Sequence, residues 1–139
     1  MSYEAWGEPD DSPFEAAIEA GWIDPTDLSK ALIAVMNERD RQENEEGWTP
    51  EHDDKHVQGE LAQAAASYTV HSIVIATLKA QGMPQDKIEA TARSTVVPRT
   101  WPWSPAWWRP SDQRRNLVKA AALLLAEIER IDRAEAAGA

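Results

Sequence analysis

Apolar residues recur along this chain at intervals of three and four, and the runs are separated by Gly and Pro. Leu28, Leu32, Val35 and Arg39 share one helical face, with Ala31 and Met36 beside it. That pattern predicts an amphipathic helix capped by Thr26 and running to about Glu46. Gly47 ends it, and Thr49-Pro50-Glu51 supplies a new cap with proline at the first helical position. Val57, Leu61, Ala64, Tyr68, Ile75 and Leu78 trace a long third helix, in which Ala62, Ala65 and Ala66 permit close approach of a neighbour. The run from Tyr68 to Ile75 is rich in β-branched residues and has strand propensity. Its alanine-rich lead-in and its Leu78-Lys79-Ala80 exit favour helix. Leu117, Ala121, Leu124, Ile128 and Ile131, widened by Val118, Ala122 and Leu125, predict a last helix capped by Ser111 or Asp112.

Shorter pieces fill the gaps. Ser12-Pro13-Phe14-Glu15 is a capping box with a helix-initiating proline, and the helix it starts stops at Gly21. Gly82 and Pro84 break the chain before a short helix from Gln85 to Arg93. Pro98, Pro102, Pro105 and Pro110 exclude a continuous helix or a central strand between Ser94 and Pro110. The expected fold is all-α: a compact helical bundle of three main helices plus short helices and a Trp/Pro-rich loop. The expected organisation is a loose arm over 1–11, one helical domain over 12–133 and a tail over 134–139.

Composition narrows the function classes. A chain of 139 residues and 15.5 kDa has room for one core. The absence of cysteine excludes disulfides, iron–sulfur clusters, thiolate zinc sites and a cysteine nucleophile. No stretch approaches the roughly 20 apolar residues of a membrane span. The start, Met1-Ser2-Tyr3-Glu4, is acidic and unlike a signal peptide. The expectation is a soluble, cytoplasmic protein with no membrane partner. No Gly-rich phosphate loop, Gly-x-Ser-x-Gly elbow or triad spacing is present, and His71, alone in an apolar stretch, reads as structural.

Charge changes the picture further. The net charge is −10, yet residues 1–60 carry 17 acids and 4 bases while residues 61–139 carry 7 acids and 10 bases. An overall acid excess argues against direct non-specific DNA binding, which needs cations to displace counterions. Arg93, Arg99, Arg109, Arg114, Arg115 and Lys119 face only Asp112 between positions 93 and 119, and four of the seven tryptophans fall in that window. Either the two halves neutralise each other within the fold, or the Trp/Arg segment builds a ligand site.

Glu51-His52-Asp53-Asp54-Lys55-His56 is the densest set of metal-capable side chains. On one helix, His52, His56 and Glu60 would share a face, and Asp53 stands three before His56. Asp53, His56 and Glu60 are therefore the candidate metal ligands, for Mg or Mn, and Glu60 is the candidate catalytic base for a metal-activated water. The competing account is a solvated acidic helix start that complements the helix dipole. Glu38 and Gln42 share a face that can reach a ligand held between helices, although their neighbours can also simply pair among themselves. The Trp101–Pro110 run reads as a lid closing an open end of the bundle or as a stacking platform, and both hold if some indoles are buried and one or two face a cleft. On the second account Trp107 and Trp108 take a base, while Arg109, Arg114 and Arg115 lie near phosphates.

Two blocks carry a resemblance. Glu38-Arg39-Asp40-Arg41-Gln42, followed by Gly47-Trp48-Thr49-Pro50-Glu51-His52-Asp53-Asp54-Lys55-His56 and Gly59-Glu60-Leu61-Ala62, resembles a group of small phage and prophage proteins. The segments Arg115–Ala122 and Ala126–Arg133 look like that group's final helix, with Trp-Pro-Trp and Trp-Trp-Arg-Pro between; together the blocks cover roughly half the chain. More distantly, the order of these helices is similar to the MazG-like all-α nucleotide pyrophosphatases. That resemblance implies a phage-type accessory protein with a helical nucleotide cleft. If it is an enzyme, it is a divalent-metal-dependent pyrophosphohydrolase. Its metal motif would be degenerate, since Gln63 stands three after Glu60 where an acid is expected, and Arg115–Lys119 offers bases where acids are expected. The rival class is a non-catalytic, anti-CRISPR-type inhibitor, an acidic DNA mimic that occupies the groove of a basic host-defence protein. A homo-oligomer joined through the Trp loop is a third.

Overall fold

The structure is a computed structural model that describes residue 16, residues 18–22 and residues 24–138. The arm over 1–11 and the capping box at Ser12–Glu15 lie outside the described residues. Ala16, Ile18 and Glu19 are helical, and Gly21 closes that turn at φ +77°, a conformation open to glycine. The chain divides into two units, Met1–Ile33 and Ala34–Ala139. In the first unit, Pro25–Asp27 is a 3-10 turn in which the Thr26 N–H donates to Asp24 at 2.9 Å. The helix cap is Ser29 rather than Thr26: its hydroxyl accepts from the Leu32 N–H at 3.1 Å and opens α1 (Lys30–Asn44).

The second unit continues with α2 (Pro50–Asp53), α3 (Glu60–Ala80), α4 (Gln85–Ala92), a 3-10 turn at Pro105–Trp107 and α5 (Gln113–Gly138). No strand occurs among the described residues, so the all-α expectation holds. The turn after α1 follows the sequence reading. Gly47 adopts φ +77°, the Trp48 N–H donates to the Gln42 carbonyl at 2.9 Å, and the Thr49 hydroxyl caps α2 by accepting from the His52 N–H at 3.3 Å.

The long third helix is broken. α2 ends at Asp53, and α3 starts at Glu60 behind Gly59, whose φ of +82° no side-chain-bearing residue adopts without strain. Val57 is therefore exposed and off the stripe. Past that break the β-branched run is helical to Ala80. The Thr69 and Thr77 hydroxyls turn back to carbonyls four residues earlier.

α3 and α5 pack antiparallel: Lys79 reaches Gln113 at 3.3 Å, and Lys119 lies 5.4 Å over the Tyr68 ring. Leu61, Ala64, Ala65 and Tyr68 meet Ala120, Leu123 and Ala126 in the core. On α5 the buried face is not the expected one. Asn116, Val118, Ala120, Ala122, Leu123 and Ala126 are buried, whereas Leu117, Leu124, Leu125, Ile128 and Ile131 are exposed. Small residues on both helices allow close approach, so the contact takes the face that carries Ala120, Leu123 and Ala126 rather than the face that carries Leu117, Leu124 and Ile128. α5 also runs through Gly138, so residues 134–138 are helical. Contrary to expectation, α3 is long and apolar enough to cross a membrane by length and composition. In the fold it is the core helix, with Ser67, His71 and Ser72 buried along it.

Candidate functional site

The Trp/Pro loop folds onto α3. Ser104 caps the 3-10 turn that carries Trp107, and Trp108 follows in an extended conformation. Tyr68 stacks on Trp108 with ring centroids 4.7 Å apart, and Trp101 meets both rings edge-on at 5.6 and 5.0 Å. The Trp101 indole N–H donates to the Ser104 carbonyl at 3.0 Å, and Ser67 bonds Thr100 at 2.7 Å. His71 closes the cluster edge-on against Trp108, and burial pushes its pKa down against the pull of the Ala92 carbonyl.

Two adjoining cavities open beside this cluster. The first, about 270 Å³, is lined by Glu38, Arg41 and Gln42 from α1, by Arg115 and Lys119 from α5, and by Trp48, Tyr68, Trp107 and Arg109. The second, about 420 Å³, is lined by His52, His56, Trp103 and Ser104. Trp48 and Trp107 wall both.

Glu38 organises the first cavity. Its buried carboxylate accepts from Arg41 Nε and Nη2 at 2.8 Å each, from Gln42 Nε2 at 3.1 Å, and from Arg115. Burial opposes ionisation, but the bonds and charges of Arg41 and Arg115 outweigh it and hold the Glu38 carboxyl below its ordinary range. Arg41 also reaches Glu46 at 2.7 Å. Lys119 donates to the Arg109 carbonyl at 2.7 Å, and burial, then the Arg115 charge, pushes its ammonium pKa down. Burial drives the Tyr68 phenol up to about 12. Four cations, Arg41, Arg109, Arg115 and Lys119, thus surround a cavity with two carboxylates, Glu38 and Glu46. Because Gln42 Nε2 faces the Glu38 carboxylate, its Oε1 is left buried without a partner among the described residues.

The acidic corner is arranged differently from the expectation. Asp53 is buried and faces Arg39 Nη2 at 3.3 Å and His52 Nδ1 at 3.5 Å; burial raises its pKa against the pull of His52 and Arg39. His56 Nδ1 lies 3.2 Å from Glu60, whose other oxygen accepts from the Gln58 N–H at 2.6 Å. The small burial of Glu60 works against ionisation, and hydrogen bonds from its own backbone N–H, from the Gln58 N–H and from His56, with the His56 charge, hold its carboxyl low. Among the described residues no three His, Asp or Glu side chains form a group able to hold a metal. Asp53, His56 and Glu60 are therefore not brought together as ligands, because the helix break falls between the first and the last of them. His56 and Glu60 remain a pair.

The other expected site residues divide. Trp107 and Arg115 line the first cavity. Trp108 belongs to the core, Arg114 is exposed outside both cavities, and Glu60 lines neither. Trp48, Arg41, Tyr68 and Lys119 line the first cavity without having been marked as site residues by the sequence reading. The signal for Lys119 was its place one turn after Arg115. The charge halves do meet in part, through Glu38 with Arg115 and Asp54 with Arg133 at 2.8 Å.

Compared with family models, with curated proteins and with solved structures, the chain matches none.

Proposed function

We propose that the adjoining cavities bind a nucleotide, with its base against Trp107 and Trp48 and its phosphates at Arg109, Arg115 and Lys119. The observation that carries this reading is the convergence of four cations on an indole-walled cavity in a chain of net charge −10. Cations gathered against the trend of the whole molecule favour an anion there, and exposed indole faces favour a planar ring. The partnerless Gln42 Oε1 fits a ligand donor, such as an exocyclic amine or a ribose hydroxyl. Front-half acids engaged by the chain's own bases, Glu38 and Asp54 among them, favour this reading over an acidic DNA mimic.

Under this reading the chain is a phage-type accessory protein of MazG-like helical form. The three-ligand Mg or Mn site expected from the spacing of Asp53, His56 and Glu60 does not fit the residues as placed, so the reading is one of binding, with no hydrolytic step derived. Calorimetry with a panel of nucleoside mono-, di- and triphosphates, with and without Mg²⁺ or Mn²⁺, tests it. Heat with at least one nucleotide, lost in Lys119→Ala, is expected. No heat with any nucleotide removes the reading and returns salt-sensitive binding to a basic protein as the better account.

A further inference from the structure

We propose that the exposed face of α5 is the seam of a symmetric dimer, seated against a second copy of this chain in antiparallel register. Leu117, Leu124, Ile128 and Ile131 are 44%, 46%, 54% and 40% exposed, and Ala121 lies among them. Their spacing of four, three, four and three is that of a coiled-coil seam, which an apolar partner helix covers. The stripe runs about 22 Å along the helix.

Charge selects the occupant. Arg114 precedes Ala121 by seven residues and Asp132 follows Ile128 by four, so both sit on one edge of the stripe, at its opposite ends. They are 18 residues apart, five whole turns, and therefore in line. Both are exposed, and neither forms an ion pair among the described residues. The midpoint between them falls at Leu123, one position from Leu124 at the centre of the stripe. A two-fold axis beside Leu124 thus pairs Arg114 of each copy with Asp132 of the other while the apolar stripes overlap end to end. An isologous contact requires this self-complementarity of a single patch.

Light scattering on a size-exclusion column, across a concentration series of the full chain, tests the proposal, with circular dichroism as the check on folding. The expected result is a reversible dimer. Ile128→Glu gives a monomer of unchanged helicity. Arg114→Asp and Asp132→Arg each raise the dimer Kd about tenfold or more, and the double variant Arg114→Asp/Asp132→Arg restores it. A monomer at all concentrations, as when another segment of the same chain covers the stripe, overturns the proposal. So does a dimer indifferent to Ile128→Glu, or one that the double variant does not restore.

Discussion

Trp107 and Trp108 are adjacent in the chain, and one is 55% exposed while the other is 6% exposed. The 3-10 turn ends at Trp107 and the backbone becomes extended at Trp108, so the two indoles leave the loop in different directions. One walls both cavities; the other stacks on Tyr68, with Trp101 edge-on. The lid over the bundle and the wall of a cavity therefore coexist, with one indole buried and its neighbour facing the cavity. The same ten-residue run supplies both, and the prolines that exclude regular structure are what hold the two rings apart in role.

That division can be broken from the buried side first. Trp108→Ala removes the ring that Tyr68, Trp101 and His71 pack against and should cost about 3–5 kcal/mol in denaturant unfolding. A loss below about 1 kcal/mol would show that this ring does not hold the loop.

Glu38→Gln comes next. It leaves Arg41 and Arg115 without their shared buried carboxylate and should cost about 3 kcal/mol near neutral pH, the arginines being partly solvated. The Glu38 carboxyl is held below its ordinary range in the fold, so its contribution is fully present above that range. It is lost as pH falls through the lowered folded value. Unfolding titrations from about pH 7 to about pH 3 should show stability falling with acid in the parent and falling less in Glu38→Gln. Parallel curves would mean that the pair contributes no pH dependence.

Trp107→Ala has the smallest expected effect on the fold and sharpens the comparison most. Stability should change by no more than about 0.5 kcal/mol. Nucleotide binding measured by calorimetry should weaken by about 1–3 kcal/mol, the scale of one lost base stack. Equal destabilisation by the two alanine variants would erase the distinction between the rings.

The helical class, the Gly47 turn and the Thr49 cap were legible because they rest on local preferences that act within four or five residues. That Trp107 and Arg115 line a cavity agrees with where the scarce indoles and the bases cluster in the sequence. The ligand trio was not legible. Its logic assumed one helix through His52 and Glu60, and a glycine at position 59 lets the backbone turn left-handed between them. The leucine stripe of α5 misled for a different reason. A periodic pattern states that some partner wants that face, without stating whether the partner lies in the same chain.

By itself the sequence determined that this chain is helical, where several turns fall, and that bases and indoles cluster in its second half. Those outcomes follow from backbone propensity and composition, which each residue carries with it. Only the tertiary structure decided that Trp108 is core while Trp107 is cavity wall, that Glu38 joins Arg115 from 77 positions away, and that Ala120, Leu123 and Ala126 rather than Leu117, Leu124 and Ile128 face α3. These depend on which surfaces reach close packing first. That is a property of whole helices meeting in space, and no window of sequence contains it.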